Sequence, residues 1–110
     1  MLSKEKRLNL KRDFKWVAAG SKVEDQLVKI FYRLGENNFP RLGIEVSSKN
    51  FKKAVERNRA RRLTSVAFEH LYPNLPQKIN MVALPKSGVL RLKSEDLIKD
   101  LAKLIKRVKI

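Results

Sequence analysis

The sequence contains no cysteine and a single histidine, His70, among its 110 residues. Without cysteine the chain can form neither a disulfide nor a thiolate metal site, and one imidazole cannot build a histidine metal cluster. Glycine and proline number four each and are scattered singly, so no linker-like stretch divides the chain. No segment approaches the roughly 20 apolar residues of a membrane-spanning helix. We therefore expect one domain over residues 1–110, with no membrane partner.

Negative charge is also scarce. There are 11 Asp and Glu residues against 26 Lys and Arg residues, which gives a net charge of +15. Such an excess destabilises a compact domain by self-repulsion, and a polyanionic partner relieves it. We expect that partner to be nucleic acid and expect no small-molecule substrate. The missing cysteines and the absence of an apolar core in MLSKEKRLNLKR favour a cytoplasmic location.

The positive charge is densest in residues 52–62, KKAVERNRARR, where six of eleven positions are Lys or Arg. The segment is predicted to be helical, and its apolar sector would face the core with Val55, Leu63, Val66 and His70. The spacing of Lys53, Arg57 and Arg61 predicts a row along the opposite face, about 6 Å apart per step. Arg59 and Arg62 fit this picture poorly, because an ideal helix places them in or beside the apolar sector.

The rest of the chain predicts a small sheet with three helices packed on it. Helices are predicted over residues 9–19, about 52–71 and 94–108, and strands over 26–34, 41–47 and 78–84. Asn9 and Ser94 are the expected N-caps, and Pro73 is expected to end the second helix. We expect the first two strands to form a hairpin, with room for an extra short strand near the first turn. The fold class is thus an α/β, or α+β, sandwich in the order α-β-β-(β)-α-β-α with a mixed or antiparallel sheet.

Catalytic residues are not predicted in this chain. His70 is assigned to the apolar side of its helix, with no carboxylate placed to orient it. The acidic residues are scattered, so no protein metal site is predicted either. Trp16 falls opposite the apolar stripe of the first helix, where it could stack on a base or shield the edge of the core. These features favour an RNA-binding protein over a self-sufficient nuclease.

The basic segment belongs to a wider pattern. The run Arg57-Asn58-Arg59-Ala60-Arg61-Arg62 resembles the RNR motif of the bacterial ribonuclease P protein subunit. The flanking matches, in order, are Arg7-Leu8, Asp13-Phe14, Arg41-Leu42-Gly43-Ile44, Val46-Ser47, Ala54-Val55 and Ala67-Phe68. The resemblance therefore covers about residues 7–105. It departs from the family at Ala18, where an aromatic residue is common, and at Lys52-Lys53, where Gly-Asn is common.

The resemblance implies a left-handed βαβ crossover and a division of labour with a catalytic RNA. That RNA would remove the 5′ leader of precursor tRNA using Mg²⁺, which the RNA itself would mainly hold. The protein would promote the reaction by binding both the catalytic RNA and the precursor tRNA. The implied contacts to the catalytic RNA are Lys53, Arg57, Asn58, Arg59, Arg61 and Arg62. Phe14 and Tyr32 match aromatic residues of the cleft that holds the leader, whereas the apolar periodicity of the first helix favours Phe14 as a core residue. A ribosomal or other structured-RNA-binding protein remains the alternative, because size and charge fit it equally well.

Overall fold

Three α-helices and four β-strands follow one another in the order α-β-β-β-α-β-α within residues 3–108, the part of the chain that the computed structural model describes. The helices are α1 (Leu10–Ala18), α2 (Ala54–Leu71) and α3 (Ser94–Lys106). The strands are β1 (Ser21–Glu24), β2 (Val28–Leu34), β3 (Arg41–Ile44) and β4 (Ile79–Pro85). The α+β class and the element order are confirmed, and β1 is the extra short strand.

The sheet has the strand order β1-β2-β4-β3. The strand β2 pairs antiparallel with β1 and with β4, whereas β3 and β4 are parallel. The predicted hairpin between residues 26–34 and 41–47 is therefore wrong, because β4 lies between these two strands. Instead β2 turns back on β1, where the Asp25 carboxylate accepts the backbone N–H groups of Leu27 and Val28 at 2.8 and 2.9 Å.

The parallel pair β3 and β4 is joined through α2, as parallel strands require a long crossover. This crossover agrees with what the family resemblance implies, and its left hand stays a prediction. The strand β3 ends at Ile44 rather than at residue 47. Its outer edge is partly covered by the N-terminal segment, where the Leu8 N–H donates to the Leu42 carbonyl at 2.8 Å.

The two faces of the sheet are buried by different helices. One face packs against α2 and α3, and its cluster includes Ile30, Tyr32 and Met81 together with Phe68 and Leu101 of the helices. The other, which we call the α1 face, holds a smaller cluster: Leu8, Val17 and Val82, with Leu10, Phe14, Phe31 and Leu84 partly buried around them. Because side chains alternate along a strand, neighbouring residues of β2 belong to different clusters.

The orientation of α2 differs from the prediction. Val55 is 72% exposed and Val66 is 41% exposed, and His70 is exposed as well. The buried side of the helix consists of Ala60, Thr64, Ser65, Ala67, Phe68 and Leu71. The apolar sector chosen from the sequence also contains Arg59 and Arg62, and burying two unpaired guanidinium groups would cost more than exposing two valines.

The helix ends follow the sequence closely. The side chain of Asn9 accepts the Arg12 N–H at the start of α1, and α2 stops at Leu71, two residues before Pro73. At the start of α3 the N-cap is Lys93 rather than Ser94, and the Asp96 carboxylate accepts the Lys93 N–H at 3.3 Å. The core-facing side of α3 is buried through Leu97, Leu101 and Leu104.

Candidate nucleic-acid interface

The exposed side of α2 carries a stripe of four residues that we call the α2 outer stripe: Val55, Arg59, Arg62 and Val66. All four are exposed, and their spacing places them on one side of the helix. Within the described part of the chain, neither arginine takes part in a hydrogen bond or an ion pair with another side chain. Two cations on a rigid helix, with no carboxylate partner among residues 3–108, are available to the phosphates of a partner.

Arg57 is placed differently from these two arginines. It lies on the side of α2 that turns toward the protein, it is only partly exposed, and its Nη1 donates to the carbonyl oxygens of Phe51 at 2.8 Å and Lys52 at 3.2 Å. The predicted row of Lys53, Arg57 and Arg61 along the face opposite the core is therefore wrong. One nitrogen of Arg57 ties the preceding loop to the first turn of α2.

The remaining residues of the motif lie beside the outer stripe. Arg61 donates to the Asn58 side-chain oxygen at 3.3 Å, and both residues are exposed. Lys53 is the exposed N-cap of α2, and its backbone N–H donates to the Glu56 carboxylate at 3.3 Å. Arg61 also borders a small pocket of about 170 Å³ that it shares with Arg7. The positive surface thus extends from α2 toward the N-terminal segment.

The aromatic residues predicted to line one cleft are not brought together. Phe14 lies on the α1 face, whereas Tyr32 is 7% exposed and belongs to the cluster on the opposite face. The ring that meets Phe14 is Phe31, at 6.4 Å between centroids and in an edge-on arrangement. The ammonium group of Lys29 lies 5.1 Å from the centroid of the Phe31 ring. Phe31 was missed, although strand alternation already separates it from Tyr32.

Acidic groups offer little that could support chemistry. Within residues 3–108, no group of three or more His, Asp or Glu side chains could hold a metal ion. One carboxyl stands out, because burial and the neighbouring Asp25 carboxyl raise the pKa of Asp100 to about 6. This pair joins α3 to the turn after β1, away from the α2 outer stripe. No helix in the described range is long and apolar enough to cross a bilayer.

These features define a class: a small basic α+β protein with exposed cations along one helix, and with aromatic and basic side chains on the sheet face opposite that helix. Such a combination is typical of RNA-binding domains. Residues 2–109 match the family model for ribonuclease P. The chain belongs to the ribonuclease P protein family, whose members are the protein subunits of the enzyme that matures the 5′ ends of tRNA. The family match decides against the ribosomal alternative.

Individual relatives agree with this assignment. The ribonuclease P protein component of Nitrosococcus oceani is 34% identical over 88 residues, which cover 79% of this chain and 73% of that protein. That of Yersinia pestis (strain Pestoides F) is 39% identical over 80 residues, covering 73% of this chain and 66% of that protein. A solved structure of the Thermotoga maritima RNase P protein matches with a TM-score of 0.84 and 26% identity, over 94% of this chain and 98% of that one.

Proposed function

We propose that this chain binds the catalytic RNA of ribonuclease P through the α2 outer stripe and its flanks, and the leader of precursor tRNA through the α1 face of the sheet. The observation that carries the proposal is the pair Arg59 and Arg62, both exposed and both without a partner in the described chain. The whole chain, residues 1–110, would act as one RNA-binding domain in the cytoplasm.

The α2 surface suits a folded RNA. Residues three apart on a helix are about 5 Å apart along its axis, so Arg59 and Arg62 can meet neighbouring phosphates. Guanidinium groups bind phosphate oxygens in a bidentate manner, and they are more weakly hydrated than ammonium groups. Asn58 and Arg61 extend the same surface on one flank. Val55 and Val66 add apolar area that can pack against ribose.

Arg57 and Lys53 complete the proposed contacts at the start of α2. Arg57 Nη1 donates to the two loop carbonyls, and the other guanidinium nitrogens of Arg57 can donate to RNA. Its first task is positional, because it fixes the loop that leads into the helix. Lys53 stands exposed at that end of α2, where its ammonium group adds to the same electrostatic field.

The α1 face suits a single strand. Phe14 and Phe31 provide rings on which bases can stack, and Lys29 lies directly beside them. Lys22 of β1 is paired with Phe31 across the sheet and is exposed. Aromatic rings along a basic groove are the usual way to hold a single strand without reading its sequence. Tyr32 could contact the leader only at the β1 edge of the sheet, where it borders a pocket of about 600 Å³ together with Lys22 and Arg107.

The contribution of the protein to the reaction is electrostatic and positional. Its cations would neutralise RNA phosphates and hold the leader, so that the scissile bond aligns with the catalytic RNA. Mg²⁺ would be held mainly by that RNA and would supply the metal chemistry of phosphodiester hydrolysis. Every role given to a side chain of this protein is one of binding or orientation.

A matched pair of double variants tests the α2 surface. Arg59→Gln with Arg62→Gln removes two charges from the outer stripe, and Lys99→Gln with Lys103→Gln removes two from the exposed side of α3. Filter binding to a bacterial ribonuclease P RNA should show a loss of about 100-fold for the first pair and less than about threefold for the second. Equal losses would mean that only the net charge matters, and would overturn the proposal.

A further inference from the structure

A second pocket lies on the other flank of α1. Phe14 and Trp16 are two positions apart on the helix, so they project about 200° from each other and reach opposite sides of α1. Phe14 meets Phe31 on one side. On the other side Trp16 borders an open pocket of about 780 Å³, which also includes Arg41 and Asn80. The pocket lies on the same sheet face as Phe31, and α1 separates it from the Phe14–Phe31 side that is proposed to hold the leader.

The indole of Trp16 is held in place and still accessible. The Arg33 guanidinium lies 4.6 Å from the centroid of the indole ring, and its Nη1 donates to the Trp16 carbonyl oxygen at 3.1 Å. Trp16 nevertheless keeps 40% of its surface exposed. An aromatic ring that is already fixed loses little entropy when a base stacks on it.

Two amide side chains form the inner wall of the pocket. Asn80 is 5% exposed, and its Nδ2 donates to the Asn37 side-chain oxygen at 2.9 Å and to the Arg33 carbonyl at 3.3 Å. Asn37 Nδ2 in turn donates to the carbonyls of Phe39 and Ile79. The side-chain N–H groups of Asn37 and Asn80 thus all donate within the protein, and Asn80 Oδ1 is left as an acceptor for a ligand. An acceptor in this place can receive an N–H group of a base, either an exocyclic amino group or the ring N–H of uracil.

Gly35 brings the amide wall and the indole together. A Cβ atom at this position would lie 2.7 Å from Asn80 Nδ2 and 3.2 Å from Trp16 Cη2. Any side chain at this position would therefore fill the space between the Asn80 amide and the Trp16 indole, and only glycine leaves that space open. The distance between them is short enough for one planar ligand to touch both.

The charges of the pocket suit a phosphodiester. Arg12 is already paired with Asp13 at 3.0 Å. Arg41 has no carboxylate partner in the described chain; its guanidinium lies 5.8 Å from the centroid of the Phe39 ring, and its buried Nε makes no hydrogen bond. The exposed Glu36 also lines the opening. Arg33, on the Trp16 ring, also has no carboxylate partner in the described chain. Arg33 and Arg41 therefore exceed Glu36 by one positive charge, which suits a singly charged phosphodiester.

We propose that this pocket binds one unstacked nucleotide of single-stranded RNA, with its base against Trp16 and Asn80 and its phosphodiester at Arg41. The inference rests on the RNA-binding function proposed above, and it adds a contact to the edge of a base to a surface that otherwise contacts only backbone and base faces. The nucleotide comes either from the tRNA leader or from the catalytic RNA, since the recognised chemistry is the same in both.

The fluorescence of the protein tests the pocket directly, because Trp16 is the only tryptophan in the chain. Titration of the full chain with the pentanucleotide rC5 should change Trp16 emission in a saturable manner. Arg41→Gln should weaken rC5 binding about tenfold, whereas Glu36→Gln should strengthen it. Lys15→Gln, an equal charge loss on the outward side of α1, should change it less than about twofold.

Two results would overturn the proposal that this pocket binds a nucleotide. One is unchanged emission while fluorescence anisotropy of a labelled rC5 shows binding. The other is an equal loss for Arg41→Gln and Lys15→Gln. The Arg59→Gln, Arg62→Gln double variant separates this test from the α2 proposal, because it should lose catalytic RNA but keep the rC5 response.

The holoenzyme identifies the source of the nucleotide. Trp16→Ala should weaken the binding of the RNA that supplies the nucleotide by about tenfold. Trp16→Phe should restore most of that affinity, because a stacking ring remains. A loss seen only with precursor tRNA carrying a long leader assigns the nucleotide to the leader. A loss in the affinity of the protein for the catalytic RNA assigns it to that RNA. Normal affinities in both assays for Trp16→Ala would contradict the site.

Discussion

The guanidinium of Arg57 reaches back along α2 and donates to the backbone carbonyl of Phe51 at 2.8 Å. Phe51 itself is fully buried, so this bond fastens the first turn of the basic helix to the core. The arginines of one short motif therefore have different tasks. Arg57 sets the position of the helix, and Arg59 and Arg62 present charge on its outer side.

Arg57→Ala should lower the free energy of unfolding by about 1–2 kcal/mol, because it leaves two carbonyl oxygens without their charged donor. Urea denaturation followed by circular dichroism measures this change. Arg62→Ala is the control, since Arg62 is exposed and should alter stability by less than about 0.5 kcal/mol. Similar destabilisation in both variants would mean that the bond to Phe51 contributes nothing specific.

Arg62→Ala should instead act on RNA binding and on its salt dependence. If Arg62 contacts one phosphate, the slope of log K against log salt concentration should become shallower by about one unit. Binding isotherms of a bacterial ribonuclease P RNA at several salt concentrations give that slope. A slope equal to that of the unmodified protein would remove Arg62 from the interface.

The sequence predicted the helices and strands of this fold better than it predicted which strands pair and which side of each helix is buried. The Asn9 cap, the stop before Pro73 and the approximate strand positions are local features and are confirmed, whereas the Ser94 cap and the C-terminal end of β3 were predicted wrongly. The pairing of β3 with β4, rather than with β2, depends on contacts between distant parts of the chain. The buried side of α2 was also predicted wrongly, because hydrophobicity alone favoured Val55 and Val66 over the small residues Ala60 and Ala67.

The same limit applies to the candidate site. Charge density alone marks the basic helix, and the structure retains it as an exposed surface. The pairing of Phe14 with Tyr32 came from matching positions to a family, which gives no information on which side of a strand a residue faces. Strand alternation does give that information, and it separates Tyr32 from Phe31. The pocket beside Trp16 needs Gly35, Asn37 and Asn80 to meet, which no local pattern predicts.

Phe31→Leu should weaken leader binding without harming the fold, because leucine keeps most of the apolar volume and removes the ring. Loss of one stacking partner should reduce the affinity of the holoenzyme for precursor tRNA about tenfold. Mature tRNA, which has no leader, is the control and should bind as before. An equal loss for both substrates would show that Phe31 has no leader-specific role.

Asp100 makes stability depend on pH between about 4 and 6. Burial first, and then the Asp25 carboxyl, raise its pKa from 3.8 to about 6, so the folded state holds this proton more tightly than the unfolded chain. The resulting stabilisation is complete below the unfolded pKa and is lost as the pH rises through about 6. Asp100→Asn cannot ionise, so it should be more stable than the unmodified protein at pH 7, by about 1 kcal/mol after allowance for solvent screening.

Thermal unfolding at pH 4.5 and pH 7 measures the effect of Asp100→Asn. The variant should lose less stability than the unmodified protein when the pH rises between these values. Glu95→Gln, an exposed carboxyl at the start of the same helix, is the control. If both variants follow the pH dependence of the unmodified protein, Asp100 ionises normally in the fold.

The central claim is that the protein assists a catalytic RNA and does no chemistry alone. Cleavage of precursor tRNA at low Mg²⁺ tests it most directly, with a bacterial ribonuclease P RNA alone, with this protein alone, and with both together. We expect strong stimulation of the RNA by the protein and no cleavage by the protein alone. Cleavage by the protein without RNA, or no stimulation although the two bind tightly, would contradict it.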